Sequence, residues 1–277
     1  MIISSKDNEI VKEIRKLKEK KFRKDKFIVE GIKMLEEAIN ENANIDLIVL
    51  REGVSLQKDI SQFKSIVVTE KVFSTLTDVV SPQGVLAVIN KKSNIKIDES
   101  ADYILALDGI QNPGNLGTII RTADSANLKQ IIVSKNTVDS YSPKVIRSTM
   151  GAIYRVNIIE VENLVETLKS LQKNKFNIIT TSLNTNNSIY DISYNKSVVV
   201  IGNEANGVST EVLDLADYKV KIPMLGKTES LNASVATGIM IYEYVRRIIK
   251  KWLTLLVNNS IIILVSNTML FKWTQKN

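Results

Sequence analysis

The chain has 277 residues, 44% of them hydrophobic and 24% charged, a balance typical of folded proteins and long enough for two domains. Lys and Arg number 37 against 30 Asp and Glu, and the net charge of +7 favours a polyanionic partner such as nucleic acid. The chain lacks Cys and His, which excludes disulfides, thiolate nucleophiles, Cys/His zinc sites and histidine bases; no metal is expected.

The N-terminal segment is predicted to be a basic amphipathic helix. Ile10, Ile14 and Leu17 recur at helical spacing and form one apolar stripe. The cations around this stripe are Lys12, Arg15, Lys16, Lys18, Lys20, Lys21, Arg23, Lys24 and Lys26. They form either a solvated face or a surface for RNA, and we favour RNA because so dense a run of one sign repels itself. The first 12 residues do not resemble a signal peptide, so a cytoplasmic protein is expected.

Short strands and helices then alternate in two units. The first unit has apolar runs typical of strands and one helix, at 27–29, 31–40, 46–50, 65–68 and 84–89. The polar stretch 90–101 is the predicted linker. The second unit has predicted strands at 103–107, 130–133, 156–159, 177–181 and 198–201, and helices at 116–126, 142–150, 162–173 and 231–250. Continuous Val/Ile runs such as 198–201 predict an α/β fold whose parallel sheet is covered on both faces.

The segment from Trp252 to Phe271 is apolar but is interrupted by Asn and Ser side chains. A membrane-spanning helix needs about 20 mostly apolar residues, so these polar groups disfavour a span. A packed strand, a hairpin or a poorly ordered extension is the preferred interpretation, and no membrane partner is expected.

Three loops, each following a predicted strand, contain the candidate chemistry. The first, 108–117, leads into a helix whose N-terminal N–H groups can bind an anion, and Arg121 lies on that helix. The second, 202–208, begins at Gly202, which would let a ligand approach the backbone. The third, 222–234, precedes the last helix. Taken singly, each loop is better explained as a turn or a helix cap.

Taken together, the three loops resemble the three sequential motifs of the SpoU (TrmH) family of RNA ribose methyltransferases. The matching segments are Asn112-Pro113-Gly114-Asn115-Leu116-Gly117 with Arg121, Gly202-Asn203-Glu204-Ala205-Asn206-Gly207-Val208, and Ile222-Pro223-Met224 with Ser230-Leu231-Asn232-Ala233-Ser234. The match covers about 104–247, and residues 4–89 resemble the N-terminal substrate-binding domain of many members.

The resemblance implies a fold and a domain organisation. Residues 101–250 would form a SPOUT parallel sheet whose C-terminal part is threaded into a trefoil knot. Residues 1–95 would form a small ribosomal-protein-like α/β domain that binds RNA. Family members are homodimers that build the site near their interface. Residues 251–277 depart from the family pattern and are expected to be an atypical apolar extension.

The resemblance also implies the reaction, a methyl transfer from S-adenosylmethionine to a ribose 2′-hydroxyl. The residues that match the family's catalytic positions are Asn115, Arg121, Glu204, Ser230 and Asn232. Those that match its cofactor-binding positions are Gly202, Gly207, Ile222, Met224 and Leu231. Because a guanidinium seldom loses its proton, we expect Arg121 to clamp the phosphate of the target nucleotide and stabilise alkoxide charge, oriented by the other four catalytic residues.

The substrate remains open at this point. The N-terminal domain favours ribosomal RNA, with 23S RNA preferred, over transfer RNA. Two other classes of protein stay possible: an RNA-binding protein without catalytic activity, and an α/β enzyme acting on a nucleotide-like small molecule. The first would take up no methyl label into RNA, and the second would have no affinity for RNA.

Overall fold

A computed structural model describes the backbone of residues 2–258 and the side chains of residues 2–250. The N-terminal unit is a five-stranded sheet in the order β1-β4-β3-β5-β2. Its strands are β1 (Ile2–Ile3), β2 (Lys26–Glu30), β3 (Ile45–Arg51), β4 (Ser65–Val68) and β5 (Val85–Asn90), and its helices are α1 (Glu9–Lys16), α2 (Ile32–Asn40) and α3 (Glu70–Leu76). The predicted strands and the helix of this unit are present, whereas β1 and α3 were missed.

The second unit is a six-stranded sheet in the order β11-β9-β10-β6-β7-β8, in which every neighbouring pair is parallel. Its strands are β6 (Tyr103–Asp108), β7 (Gln130–Ser134), β8 (Asn157–Val161), β9 (Asn177–Thr181), β10 (Ser197–Gly202) and β11 (Tyr218–Val220). Its helices are α4 (Pro113–Ser125), α5 (Pro143–Thr149), α6 (Leu164–Lys173), α7 (Thr210–Leu215) and α8 (Ala233–Asn258). The predicted α/β class with a parallel sheet is confirmed; the knot stays a prediction.

Strand β10 explains why an unbroken apolar run indicated a central strand. Val199 and Ile201 pack into one hydrophobic cluster, and Val198 and Val200 pack into another on the opposite face. All four side chains are buried, because helices cover both faces of the sheet. The carboxyl ends of β6 and β10 are paired in register, Leu107 with Ile201, so the loops that follow these two strands leave the sheet side by side.

The two units share one hydrophobic core. A single cluster of buried side chains runs from the N-terminal sheet, where it includes Phe27 and Ile89, to the parallel sheet, where it includes Leu105 and Val133. Arg155 crosses the same junction with ion pairs to Glu37, Glu41 and Asp124. The joining segment, residues 91–102, contains no helix or strand.

The basic N-terminal segment differs from its prediction in two ways. Val11, with Ile14, is buried in α1, whereas Ile10 is exposed, so the apolar stripe lies one position away from the predicted one. Six of the nine cations form ion pairs with carboxylates, which reduces the self-repulsion on which the prediction rested. These six are Lys12, Lys16, Lys18, Lys21, Arg23 and Lys26.

The C-terminal helix is longer than the sequence indicated. Helix α8 continues through Asn258, so no packed strand or hairpin begins at Trp252. The rest of the predicted apolar extension, residues 259–277, lies outside the described residues. Among the helices of residues 2–258, none has the length and apolar content that crossing a bilayer requires.

Candidate active site

The first loop is held by the N-cap of α4. Asn112 precedes Pro113, the first helical residue, and its Oδ1 accepts hydrogen bonds from the N–H groups of Gly114 (2.8 Å) and Asn115 (3.3 Å). Asparagine is a favoured N-cap and proline a favoured first residue, so this sequence starts a helix where the strand ends. The helix begins three residues earlier than the predicted 116, which places Arg121 in its third turn.

Glu204, in the loop after β10, binds the first loop through three hydrogen bonds. Its Oε1 accepts from Asn115 Nδ2 at 2.9 Å and from the Asn112 N–H at 3.2 Å, and its Oε2 accepts from the Gln111 N–H at 3.1 Å. Burial alone would raise the pKa of Glu204, but these donors outweigh it and hold the pKa below its ordinary value. Glu204 is therefore ionised, holds the first loop in place, and is a weak proton acceptor.

Asn115 links this pair to the third loop. Its side chain is buried, and its Oδ1 accepts a hydrogen bond from Asn232 Nδ2 at 3.0 Å. Asn232 Oδ1 in turn accepts from the Ser234 N–H (2.9 Å) and Oγ (2.6 Å) at the start of α8. One chain of hydrogen bonds, Glu204–Asn115–Asn232, thus joins all three predicted loops.

The loop after β10 folds back on Gly202 itself. Asn203 and Gly207 exchange backbone hydrogen bonds of 2.8 and 2.9 Å, and Asn203 Nδ2 donates to the Gly109 carbonyl at 2.7 Å. A Cβ at Gly202 would lie 2.0 Å from the Gly207 carbonyl carbon. The glycine is thus required by the return of its own loop, and its part in holding a ligand stays a prediction.

The third loop has backbone groups to offer a ligand. In the part of the chain that the structure describes, the N–H groups of Met224 to Leu231 donate no hydrogen bond, and the side chain of Leu225 is completely exposed. Free N–H and C=O groups beside an apolar side chain fit a nucleoside, whose base has a hydrogen-bonding edge and an apolar face. Ile222, Met224 and Leu231, the predicted cofactor contacts, are half-buried here.

Two predicted catalytic residues stand apart from the hydrogen-bonded chain. Arg121 is exposed on α4, and its side chain has no hydrogen bond or ion pair with any residue of 2–250. Ser230 is exposed and likewise has no side-chain hydrogen bond among the described residues. Among residues 2–250, Arg121 therefore makes no hydrogen bond with Asn115, Glu204, Ser230 or Asn232, and their orienting role stays a prediction.

Several residues that hold the site were not among the predicted ones. Ser134 Oγ accepts from the Gly109 N–H (2.9 Å), and Asp108 Oδ2 accepts from the Ser209 N–H (2.8 Å). Together with Asn112 and Asn203 they fix the loops at the carboxyl edge of the sheet. The available signal was a polar side chain at the last position of a buried strand, as at Asp108 and Ser134.

Comparisons with known proteins agree with this geometry. Residues 102–242 match the SpoU rRNA Methylase family, and residues 8–87 match the MRM3-like substrate binding domain. The chain is 30% identical over 245 residues to the 23S rRNA (guanosine(2553)-2′-O)-methyltransferase RlmP of Bacillus subtilis, covering 87% of this chain and 98% of that protein.

Two solved structures are similar over most of the chain. One is the AdoMet-bound rRNA methyltransferase from Sinorhizobium meliloti, with 31% identity, a TM-score of 0.78, and coverage of 89% of this chain and 98% of that one. The other is the SpoU methyltransferase AviRb from Streptomyces viridochromogenes in complex with AdoMet. It has 25% identity, a TM-score of 0.79, and coverage of 87% and 98%.

Proposed function

Because this chain belongs to the SpoU family of RNA methyltransferases, as its three motifs indicated, we propose that the three-loop site methylates a ribose 2′-hydroxyl of 23S ribosomal RNA. The observation that carries the proposal is the hydrogen-bond chain Glu204–Asn115–Asn232, which brings the three motifs to one edge of the sheet. The cofactor is S-adenosylmethionine, which supplies an activated methyl group on a sulfonium. Two relatives similar over nearly their whole length are named as rRNA methyltransferases. One of these and the SpoU methyltransferase AviRb are named as bound to AdoMet.

The residues of the third loop are suited to hold the cofactor. The backbone groups of Ile222, Met224 and Leu231 lie in the segment with free N–H donors, after the edge strand β11. Gly202 and Gly207 contribute through the shape of their loop, since only a glycine at 202 lets it close. These residues bind and orient, which is the main requirement of a displacement whose leaving group is already good.

Arg121 is the residue that we assign to binding the RNA nucleotide that accepts the methyl group. A guanidinium keeps its proton in proteins, so Arg121 would act by its charge and its fork of donors. A side chain exposed on α4 and without a partner in residues 2–250 is available to bind a phosphate and to stabilise charge that develops on the 2′-oxygen. Glu204 would not accept the proton of the 2′-hydroxyl, because its three hydrogen bonds stabilise the carboxylate, lower its pKa and so make it a weak base.

Residues 1–95 are assigned to RNA binding and residues 101–250 to methyl transfer. The match of residues 8–87 to a substrate binding domain supports the first assignment. An enzyme that modifies ribosomal RNA acts where ribosomes are assembled, which supports a cytoplasmic location. Transfer RNA is the second acceptor to test, since it offers the same 2′-hydroxyl.

A homodimer is part of the proposal. Val235, Tyr242 and Ile249 recur every seven residues along α8, and each side chain is about half exposed, at 51%, 49% and 55%. An apolar stripe of this kind is suited to packing against a second copy. Helix α4, which carries Arg121, contacts α8 beside this stripe, since Ser125 Oγ lies 3.2 Å from Tyr242 Oη. A second copy would therefore approach Arg121, which lacks a partner within its own described chain.

The test is methyl transfer in vitro. Purified protein is incubated with radiolabelled S-adenosylmethionine and either 23S ribosomal RNA or transfer RNA, beside Arg121→Ala, and labelled sites are mapped by resistance to alkaline cleavage. Label in 23S RNA that is lost with Arg121→Ala supports the proposal. Label in transfer RNA alone changes the substrate. Absence of label from both, together with RNA binding and no cofactor binding, would replace the enzyme with an RNA-binding protein.

A further inference from the structure

An aromatic ring stands exposed in the middle of the basic N-terminal segment. Phe22 ends the 3-10 turn Lys20–Phe22 that follows α1, and 40% of its surface is exposed. The ammonium groups of Lys16 and Lys21 lie 5.9 and 4.9 Å from the centre of its ring. The ring thus makes cation–π contacts with two lysines and keeps part of its surface open to a ligand.

Arg23, the next residue, connects this turn to the carboxyl edge of the parallel sheet, where the three loops lie. Its Nε and Nη2 donate to Asp139 Oδ2 at 2.8 and 2.6 Å, and its Nη1 donates to the Leu17 carbonyl at 2.8 Å. Asp139 belongs to the loop after β7, whose Val138 N–H donates to the Ile110 carbonyl at 2.8 Å. The turn is therefore tied to a loop that itself contacts the first motif.

The cations around Phe22 fall into two groups. Six of the nine are engaged with carboxylates, as described for the fold. The other three, Arg15, Lys20 and Lys24, are exposed, and their side chains form no ion pair or hydrogen bond within residues 2–250. Arg15 and Lys20 precede Phe22 in the sequence and Lys24 follows it, so unpaired positive charge is available on the same short segment as the ring.

We propose that Phe22 is a stacking platform for an unpaired base of the RNA substrate, with Arg15, Lys20 and Lys24 contacting the phosphates on either side of that base. This inference rests on the proposed function for the identity of the RNA. An aromatic ring offers a face to any base, and unpaired cations beside it neutralise the backbone of the same strand. A base in a duplex is already stacked, so the surface selects single-stranded RNA close to the methylation site.

The first test measures binding by fluorescence anisotropy, with a fluorescein-labelled, mixed-sequence single-stranded RNA of about 12 nucleotides and with the same strand annealed to its complement. Phe22→Ala is expected to weaken binding of the single strand about tenfold and to leave the duplex unchanged. Phe22→Trp keeps the platform and is expected to bind at least as well as the wild type. Tyr218→Ala, which removes an equally exposed ring (40%) from the opposite edge strand β11, is the matched control and should have no effect.

The second test measures the phosphate contacts. Arg15→Ala, Lys20→Ala and Lys24→Ala should each reduce the slope of log Kd against log salt by about 0.7, the value for one phosphate of a single strand. Lys169→Ala, which removes an ion-paired lysine from α6, should leave the slope unchanged. In methylation assays, Phe22→Ala should raise KM for RNA about tenfold and leave kcat unchanged, because the platform binds and does not react.

Three results would overturn the platform: no binding of the single strand by the wild type, equal affinities of the wild type and Phe22→Ala, or an equal loss for the single strand and the duplex. These outcomes are separate from failure of the proposed function. If the wild type methylates no RNA, yet Phe22→Ala binds single strands more weakly than the wild type does, the platform is supported and the proposed reaction is not.

Discussion

Asn115 Nδ2 donates to Glu204 Oε1 at 2.9 Å across 89 residues of sequence, and this bond fastens the loop after β6 to the loop after β10. The same amide accepts from Asn232 through its oxygen, so both ends of one side chain are used. A carboxylate on one side and an amide donor on the other fix which way the Asn115 amide points. The three motifs are thereby set relative to one another by polar contacts that meet at the buried side chain of Asn115.

Glu204→Gln should lower methyl transfer about 100-fold, the usual cost of misplacing reacting groups by about an ångström. Glutamine has one acceptor oxygen where the carboxylate has two, so the donors of Gln111, Asn112 and Asn115 cannot all be satisfied. Turnover at saturating RNA and cofactor is the measurement. Glu211→Gln, an exposed change in α7, is the control, and equal activities of the two variants would contradict the role of Glu204.

The same carboxylate makes a pH-dependent contribution to stability. Because its pKa in the folded protein lies below the ordinary value of 4.5, Glu204 stabilises the fold above about pH 5, and this contribution is lost as the pH falls through the lowered pKa. The difference in free energy of unfolding between wild type and Glu204→Gln should therefore be constant near neutrality and shrink on acidification below about pH 4.5. Urea unfolding across this range measures it; a difference that grows in acid would show that the pKa is raised.

Arg121→Ala should abolish methyl transfer without affecting folding or cofactor binding. The side chain is exposed and has no partner in residues 2–250, so its removal should change the free energy of unfolding by no more than about 0.5 kcal/mol. Arg121→Lys keeps the charge and loses the paired donors, and it should stay well below wild-type activity. Near-wild-type turnover of Arg121→Lys would show that two-pronged binding of a phosphate is not required.

Gly202→Ala should destabilise the protein by about 3 kcal/mol, the upper range for forcing an extra carbon into a packed site. The added Cβ would lie 2.0 Å from the carbonyl carbon of Gly207 and 2.1 Å from the amide nitrogen of Val208, and both are backbone atoms that cannot turn aside. Gly226→Ala is the matched control, since its Cβ would meet nothing within 4 Å. Chemical unfolding compares the two; similar midpoints would mean that the loop opens without cost.

The Arg23–Asp139 pair should be essential to the junction of the two units. The side chains are 5% and 12% exposed, so Asp139→Ala leaves a buried guanidinium without its carboxylate and should cost about 3 kcal/mol. Replacing both residues with leucine should cost less than the single change, because no charge is left unpaired. Unfolding by urea tests this, with the exposed Lys135–Glu162 pair as control. A double variant less stable than Asp139→Ala would contradict this account.

Much of the second unit could be predicted from the sequence, for a physical reason. Strands buried on both faces have continuous apolar runs, and the predicted strand at 177–181 has the observed bounds. The short edge strand β11 was missed because three residues, Tyr218 to Val220, with an exposed tyrosine and a lysine, carry no such run. Helix α3 was missed because its seven residues are too few to establish a period.

The sequence predicted less about the contacts within the candidate site. The sequence indicated which loops carry the chemistry, but not that Glu204 binds the first loop instead of capping the following helix, since that contact joins positions far apart in the chain. Density of charge was likewise misleading in the N-terminal segment. Arg23 and Lys24 are adjacent cations, yet one is buried in an ion pair and the other is exposed. The sequence gives the sign of each charge, whereas only the fold determines which cations form ion pairs.

The hydrophobic cluster that spans both sheets also affects how an RNA substrate is positioned. The side chains that stabilise each unit also fix the angle and distance between them, and Arg155 and Arg23 fasten the same junction from two sides. The turn that carries Phe22 and the edge that carries Asn115 therefore move as one body. The distance between a base stacked on Phe22 and the ribose that reacts would then be set by the protein, so the RNA between them would need at least the number of nucleotides that spans this distance.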